Sequence, residues 1–277
     1  MADTDTPAVP AGSGGGQVLV TQADGVARIT INRPERRNAM SWEVMTGLRE
    51  ALAAARSDPG VRVVVLTGAG DEAFCAGADL GGMGAGHGAA DEGFLDKHQS
   101  RGILAALFED LWHLGKPTIA RVQGWAMAGG LGLALACDLV VASERARFGA
   151  PEINVGLWPY MITVPLVRSM PPKKALEMML TGRVVGAGEA ERTGFVNQVV
   201  AHQGLDSAVD DLAATLAAKS PAVMLLGREA FYGVWDMGAD DALVHLHAML
   251  TLANQTDDAA EGISAFLEKR PPRWTGR

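Results

Sequence analysis

Two glycine-rich stretches, Phe74-Cys75-Ala76-Gly77-Ala78-Asp79-Leu80 and Gly124-Trp125-Ala126-Met127-Ala128-Gly129-Gly130-Leu131-Gly132, carry the first chemical signal in this chain. Each places residues with little or no side chain where a strand gives way to a loop or helix, which leaves backbone N–H groups bare. Two such donors converging on one oxygen form an oxyanion hole. A third stretch, Ala150-Pro151-Glu152-Ile153, sets one carboxylate in an otherwise apolar run. The combination points to chemistry at a carbonyl whose oxygen becomes negative, not to phosphate binding.

The elements that must position these residues can be read from periodicity. Val18-Val20 and Val26-Ile31 are short strand-forming runs separated by Ala23-Asp24-Gly25, a hairpin signal. Ser41 caps a helix carrying Met45, Leu48, Leu52 and Ala55 on one face. Arg62-Thr67 is a continuous apolar run, as expected of a strand covered on both faces. Residues 94–114 read as a helix that Lys116-Pro117 stops, followed by a strand at Thr118-Val122, a helix over 129–137 and a strand at Leu139-Ala142. This alternation predicts an α/β core. From about residue 205 the strand signals stop, and four amphipathic helical segments follow at 206–218, 221–236, 240–253 and 258–269. The expected organisation is a disordered leader over 1–16, an α/β core over 17–204, and a helical lid or oligomerisation layer over 205–277. The glycine run 81–88 reads either as a flap over the site or as a surface loop without a role.

The 277 residues, 48% of them hydrophobic, suffice to bury a sizeable core. A net charge of −8, with no basic run except the cluster at Lys269, Arg270 and Arg273, argues against nucleic acid as a partner. Two cysteines, Cys75 and Cys137, make neither a disulfide framework nor a metal ligand set. No window has the roughly eighteen uninterrupted apolar residues of a membrane span. Asp3 and Asp5, ahead of Pro and Gly, are the opposite of a signal peptide, so a cytoplasmic location is expected.

Gly68-Ala69-Gly70-Asp71-Glu72-Ala73 follows the apolar run and matches the G-x-G-x-x-A form of a dinucleotide fingerprint, which would make the chain a nicotinamide oxidoreductase. Asp71 and Glu72 would then face a pyrophosphate, and the expected phosphate-binding helix runs instead into Phe74-Cys75-Ala76-Gly77. The dinucleotide reading is therefore set aside.

Six motifs in order carry a family resemblance: Arg33-Pro34-x-x-x-Asn38-Ala39-Met40, Phe74-Cys75-Ala76-Gly77-Ala78-Asp79-Leu80, Gln123-Gly124-Trp125-Ala126-x-Ala128-Gly129-Gly130, Cys137-Asp138, Phe148-x-x-Pro151-Glu152-x-x-x-Gly156 and Ala175-x-Glu177-x-x-Leu180-Thr181-Gly182. The sequence from about residue 17 to Phe266-x-Glu268-Lys269-Arg270 resembles the enoyl-CoA hydratase/isomerase, or crotonase, family. The resemblance implies a crotonase-like spiral of ββα turns, a C-terminal helical trimerisation region with trimers able to pair into hexamers, and an acyl-CoA thioester as substrate. Coenzyme A enters as part of that substrate, and no separate cofactor or metal is implied.

By the same resemblance, the Ala78 and Gly129 N–H groups hold the thioester oxygen, and Glu152 moves a proton near the double bond. Arg37, Ala39, Ala76, Asp79 and Leu80 fall along the adenine and pantetheine path, and Trp125 lies close to the thioester. Gly130, Pro151 and Tyr160 join the substrate-binding set; the Tyr160 hydroxyl could hold a water or a substrate group. Lys269, with Arg270, resembles a basic tail reaching the nucleotide phosphates, although a basic pair ending a helix also serves as a solvated cap.

One departure matters. Hydratases of the family usually carry a second glutamate three residues after the hole-forming glycine, where this chain has Gly132. Water addition is best served by two carboxylates, whereas moving a proton between two carbons needs one. The first expectation remains hydration of a trans-2-enoyl-CoA. Δ3-Δ2 isomerisation is its rival, and a non-catalytic CoA-binding protein is the third reading. A glutamate introduced at position 132 is expected to raise hydration selectively, unless the larger side chain disrupts the helix.

Overall fold

The computed structural model describes residues 16–79, 93, 95, 98 and 102–277. The expected leader, apart from Gly16, and the 81–88 flap lie outside these residues, as does Leu80.

The chain opens with a hairpin. Strands β1 (Val18–Ala23) and β2 (Val26–Ile31) pair antiparallel. Asp24 and Gly25 both take positive φ, 50° and 79°, as a two-residue turn of this hand requires. Helix α1 (Trp42–Ser57) follows, with the Ser41 hydroxyl accepting the Val44 N–H at 3.3 Å, and buries Val44, Met45, Leu48, Leu52 and Ala55. Strand β3 (Val63–Gly68) is buried at every position because it lies inside a sheet, parallel to β2 on one side and to β5 (Thr118–Val122) on the other.

From β3 onward each turn of the chain gives one strand to each of two sheets and then a helix. Strand β4 (Ala73–Cys75) follows β3, β6 (Trp125–Met127) follows β5, and β8 (Arg147–Gly149) follows β7 (Leu139–Ser143). Helix α2 (Ile103–Trp112) precedes β5, α3 (Gly129–Ala136) links β6 to β7, and α4 (Thr163–Ser169) lies beyond β8. With β9 (Val184–Gly186) and β10 (Gln198–Val200) added, the large sheet runs β1-β2-β3-β5-β7-β10 and the small one β4-β6-β8-β9. This is the expected α/β spiral of ββα turns.

Bare backbone makes the stacking possible. A Cβ on Gly68 would lie 2.3 Å from the Phe74 carbonyl oxygen, and one on Gly124 would lie 2.0 Å from that of Glu72. Buried Gln123 joins the same corner, its Nε2 donating to the Gly68 and Ala73 carbonyls at 2.8 and 2.7 Å. After the Gly68-Ala69-Gly70 turn the chain therefore enters β4 and not a helix, and the dinucleotide fingerprint has no phosphate-binding end.

Helices α5 (Pro172–Thr181) and α6 (Ala187–Thr193) flank β9. Helix α7 (Leu205–Ala217), grouped by sequence with the C-terminal helices, buries Leu205, Val209 and Ala213 against Val63, Val65, Ile119 and Val141, closing the second face of the large sheet. Beyond it come α8 (Pro221–Gly233), α9 (Ala239–Ala253) and α10 (Asp257–Glu268). A buried polar knot fastens α8 to the core. Arg228 forks onto the Asp138 carboxylate at 2.8 and 2.9 Å, the Tyr232 hydroxyl donates to it at 2.5 Å, and the Thr118 N–H donates at 2.7 Å. Helix α9 buries no residue against its own chain. No described helix is long and apolar enough to cross a membrane.

Candidate active site

The first candidate donor is aimed by a two-strand bridge of minimal length. Met40 pairs in parallel with Ala78: the Met40 N–H donates to the Gly77 carbonyl at 2.8 Å and the Asp79 N–H donates to the Met40 carbonyl at 2.9 Å. In such a bridge one residue uses both its groups and its opposite uses neither. The Ala78 N–H thus points away from Met40, and no protein acceptor takes it among the described residues.

The second donor opens α3. Gly129 is the first helical residue, so its N–H has no partner within the helix. Ala128 before it has φ 52° and ψ −128°, a conformation costing a residue with a side chain about 1–3 kcal/mol. Turning the chain from β6 into α3 within one residue fixes the direction of the Gly129 N–H. The strain is held by the Ala128 N–H bond to the Gly149 carbonyl at 2.9 Å and by the Gly132 N–H bond to the Ala128 carbonyl at 3.1 Å. The helix N-terminus adds partial positive charge in the same place.

The two turns touch. A Cβ on Gly77, itself at φ 98°, would lie 2.8 Å from the Ala128 Cβ and 3.6 Å from the Gly129 nitrogen. One on Gly130 would lie 2.2 Å from the Cys75 carbonyl oxygen. The sequence separates these motifs, and the fold packs them backbone to backbone.

Glu152 is brought in by the same bond that holds Ala128. Strand β8 pairs with β6 in the register Met127 to Gly149, and Ala150 leads into a 3₁₀ turn, Pro151–Val155, that carries the carboxylate. Pro151 occupies the first turn, where a missing N–H costs nothing. Glu152 Oε2 is buried and has no hydrogen-bond partner. Burial pushes its carboxyl above the ordinary range, with the bond to its own backbone N–H pulling the other way. A half-buried carboxylate of this kind is suited to exchanging protons.

The other candidates are placed as follows. Trp125 opens β6 and is exposed, as is Tyr160 in the segment before α4. Arg37 has positive φ, its carbonyl accepts the Ala76 N–H at 3.0 Å, and its Nε meets Glu72 at 2.6 Å on the surface. Ala39 presents its carbonyl to Arg33, and the Asp79 carboxylate is also engaged by Arg33. Lys269 caps α10 in a left-handed conformation, at the far end of the C-terminal helices. Arg270 beside it is taken up by Glu261 and Glu268. Sequence reasoning gave no role to Arg33, Asn38, Phe108 or Ile162, which prove to shape the site. Arg33 lies within the first motif quoted, and its signal was a cation directly ahead of a proline.

A profile of the enoyl-CoA hydratase/isomerase family matches residues 21–277. The chain belongs to this family. It is 41% identical over 253 residues to a putative enoyl-CoA hydratase of Thermus thermophilus, covering 90% of this chain and 97% of that one. It is 35% identical over 260 residues to the (E)-benzylidenesuccinyl-CoA hydratase of Thauera aromatica, covering 94% and 99%. Among solved structures, the enoyl-CoA hydratase of Mycobacterium smegmatis superposes with a TM-score of 0.87 at 36% identity, covering 93% and 98%.

Within the family's fold, position 132 gives a correction. The expectation that a glutamate there would raise hydration held only if the larger side chain left the helix undisturbed. A Cβ on Gly132 would lie 2.4 Å from Ile162 Cγ2 and 2.8 Å from the Phe108 ring. Apolar side chains stand where the first atom of a side chain at 132 would go, so such a side chain could enter only by displacing them, and a charge forced among them would be crowded and desolvated.

Two outcomes follow from this geometry. Gly132→Glu should lower stability by at least about 1–3 kcal/mol, the usual cost of overpacking, seen as a fall in thermal midpoint without any gain in hydration. Glu152→Gln should alter the pH dependence of stability. The ionised carboxylate is the form that burial penalises, so wild-type stability falls as pH rises from the ordinary carboxylate value through the raised one. Glutamine has no such titration. The midpoint difference between variant and wild type should therefore widen in favour of the variant across that window, and a difference independent of pH would show that Glu152 is solvated.

Proposed function

We propose that this chain hydrates a trans-2-enoyl-CoA with Glu152 as its single acid/base group. The observation that carries the reading is the half-buried Glu152 carboxylate, whose Oε2 has no partner, tied through Gly149 and Ala128 to the strand that delivers the Gly129 N–H. In the proposed cycle the carboxylate takes a proton from water as the water oxygen bonds to C3. The C2=C3 electron pair moves toward the thioester, whose oxygen becomes an enolate held by the Ala78 and Gly129 N–H groups. C2 then takes the proton back from Glu152, the oxygen charge collapses, and the carboxylate is regenerated. Each hole donor is worth about 3 kcal/mol of barrier on the general scale for such groups.

Relatives up to 41% identical carry hydratase names, which sets hydration ahead of isomerisation. A protein that only bound CoA would have no use for a carboxylate whose burial costs stability. The proposed substrate is an acyl-CoA thioester in a cytoplasmic setting.

The assembly is proposed to be a homotrimer, or a hexamer built from two. Helix α9 exposes Leu243, Val244, Leu250 and Leu252. Beside it α8 and α10 form an apolar groove of about 870 Å³ lined by Phe231, Ile263, Phe266 and Leu267, with Glu152 not among its lining residues. Light scattering should return three or six times the chain mass of 29.0 kDa, and a monodisperse monomer would overturn this assignment.

Glu152→Gln should abolish turnover of 2-enoyl-CoA, a loss of 10²-fold or more on the general scale for positioned acid/base groups, while CoA binding by calorimetry stays nearly intact. Turnover at the wild-type rate would remove Glu152 from the mechanism.

A further inference from the structure

We infer that Arg33 is a positioning residue for the oxyanion hole, acting as a clamp across the bridge that aims the Ala78 N–H; this rests on the hole assignment made above. The Met40–Ala78 pairing has only two hydrogen bonds, too few to hold a donor rigidly alone. One guanidinium spans it. Arg33 Nη1 donates to the Ala39 carbonyl at 2.7 Å, on one side of the bridge, and Nη2 donates to the Asp79 carboxylate at 2.8 Å, on the other. Both side chains are largely withdrawn from solvent, 14% and 11% exposed, so the pair is screened far less than a surface contact.

Arg33 is itself held from behind. The chain turns through the 3₁₀ segment Pro34–Arg36, and Asn38 closes the loop: its Oδ1 accepts the Arg33 N–H at 3.0 Å and its N–H donates to the Arg33 carbonyl at 2.8 Å. Asn38 is fully buried, and its Nδ2 donates to the Ala73 carbonyl at 2.7 Å, at the start of the strand that leads to Ala78. The guanidinium thus refers both ends of the bridge to one anchored loop. A planar fork holds its two acceptors at a fixed separation and angle, whereas an ammonium on a flexible four-carbon stem does not impose that geometry. Arg33 touches no reacting atom in this scheme. It acts on the rate because misplacing a donor by a fraction of an ångström removes more of its interaction with the developing oxyanion than of its interaction with the ground-state carbonyl.

The test uses Arg33→Lys and Asp79→Asn in the full chain, with 2-enoyl-CoA turnover and with bound acetoacetyl-CoA, whose enolate absorbs apart from its keto form. Both variants should lose about 10- to 100-fold in kcat, the scale of a small misplacement, with KM changed less than about two-fold. The enolate fraction of bound acetoacetyl-CoA should fall in parallel. A lowered thermal midpoint with kcat and enolate fraction unchanged would make the clamp merely structural and overturn the inference. A raised KM at constant kcat would overturn it too, by placing the pair on the CoA path. If Arg33→Lys fails to fold, Asp79→Asn, which keeps the side-chain size, decides alone. A wild-type protein that turns over no enoyl-CoA would sink the proposed hydration, and the enolate spectrum would still judge the clamp.

Discussion

Where Gly130 passes the Cys75 carbonyl there is no room for a methyl group, and the same is true where Gly68 passes Phe74 and Gly124 passes Glu72. These contacts let the short strands β4 and β6 lie together while the chain turns sharply between the two sheets. They also bring the turn at Gly77 against the start of α3, so that backbone from distant parts of the sequence comes into contact. Substituting any of these glycines would push apart the layers on which the hole is built, before any catalytic side chain was altered. The close approach of backbone to backbone is the condition under which the rest of the site exists.

On that frame Glu152 is the one carboxylate that the proposed cycle uses. Position 132 carries none, and Ile162 and Phe108 stand where a side chain there would begin. Glu152 remains half-buried without a partner, in a state that costs folding free energy and suits proton exchange. Its location is secured by strand register and not by side-chain bonds, since the Gly149 carbonyl that holds Ala128 lies three residues before it. Donor and carboxylate are thus aligned by one backbone hydrogen bond.

Much of the large sheet was legible because its strands are long enough for pattern to show. Val63–Leu66 is apolar throughout, Thr118–Val122 lies between Pro117 and Gln123-Gly124, and Asp24-Gly25 marks the hairpin. The small sheet was not legible. Strands β4, β6 and β8 are three residues each, too short for any periodicity, and they exist because tertiary contacts place them side by side. Of the site, Ala78, Gly129 and Glu152 were reached through motifs, whereas Arg33, Asn38 and the wall around Gly132 required the fold. An arginine before a proline says nothing about which carbonyl it will find, and a glycine's sequence neighbours do not disclose that Ile162 occupies its missing side chain. For a similar reason the packing of α7 on the large sheet needed the fold, since an amphipathic pattern gives a face without naming the surface that covers it.

Helix α3 is buried at all eight of its positions, from Gly129 to Ala136. A helix that is apolar all round and enclosed on every side can neither roll nor slide without repacking its neighbours. In the proposed reaction the donor at its first residue therefore serves as a datum point fixed to the core. On that proposal a substrate is located by where its carbonyl oxygen must sit, and everything beyond that oxygen is measured from it. Tolerance for different acyl groups must then lie in the parts of the molecule that are not tied to this datum, so that recognition can diversify while the reference itself stays still.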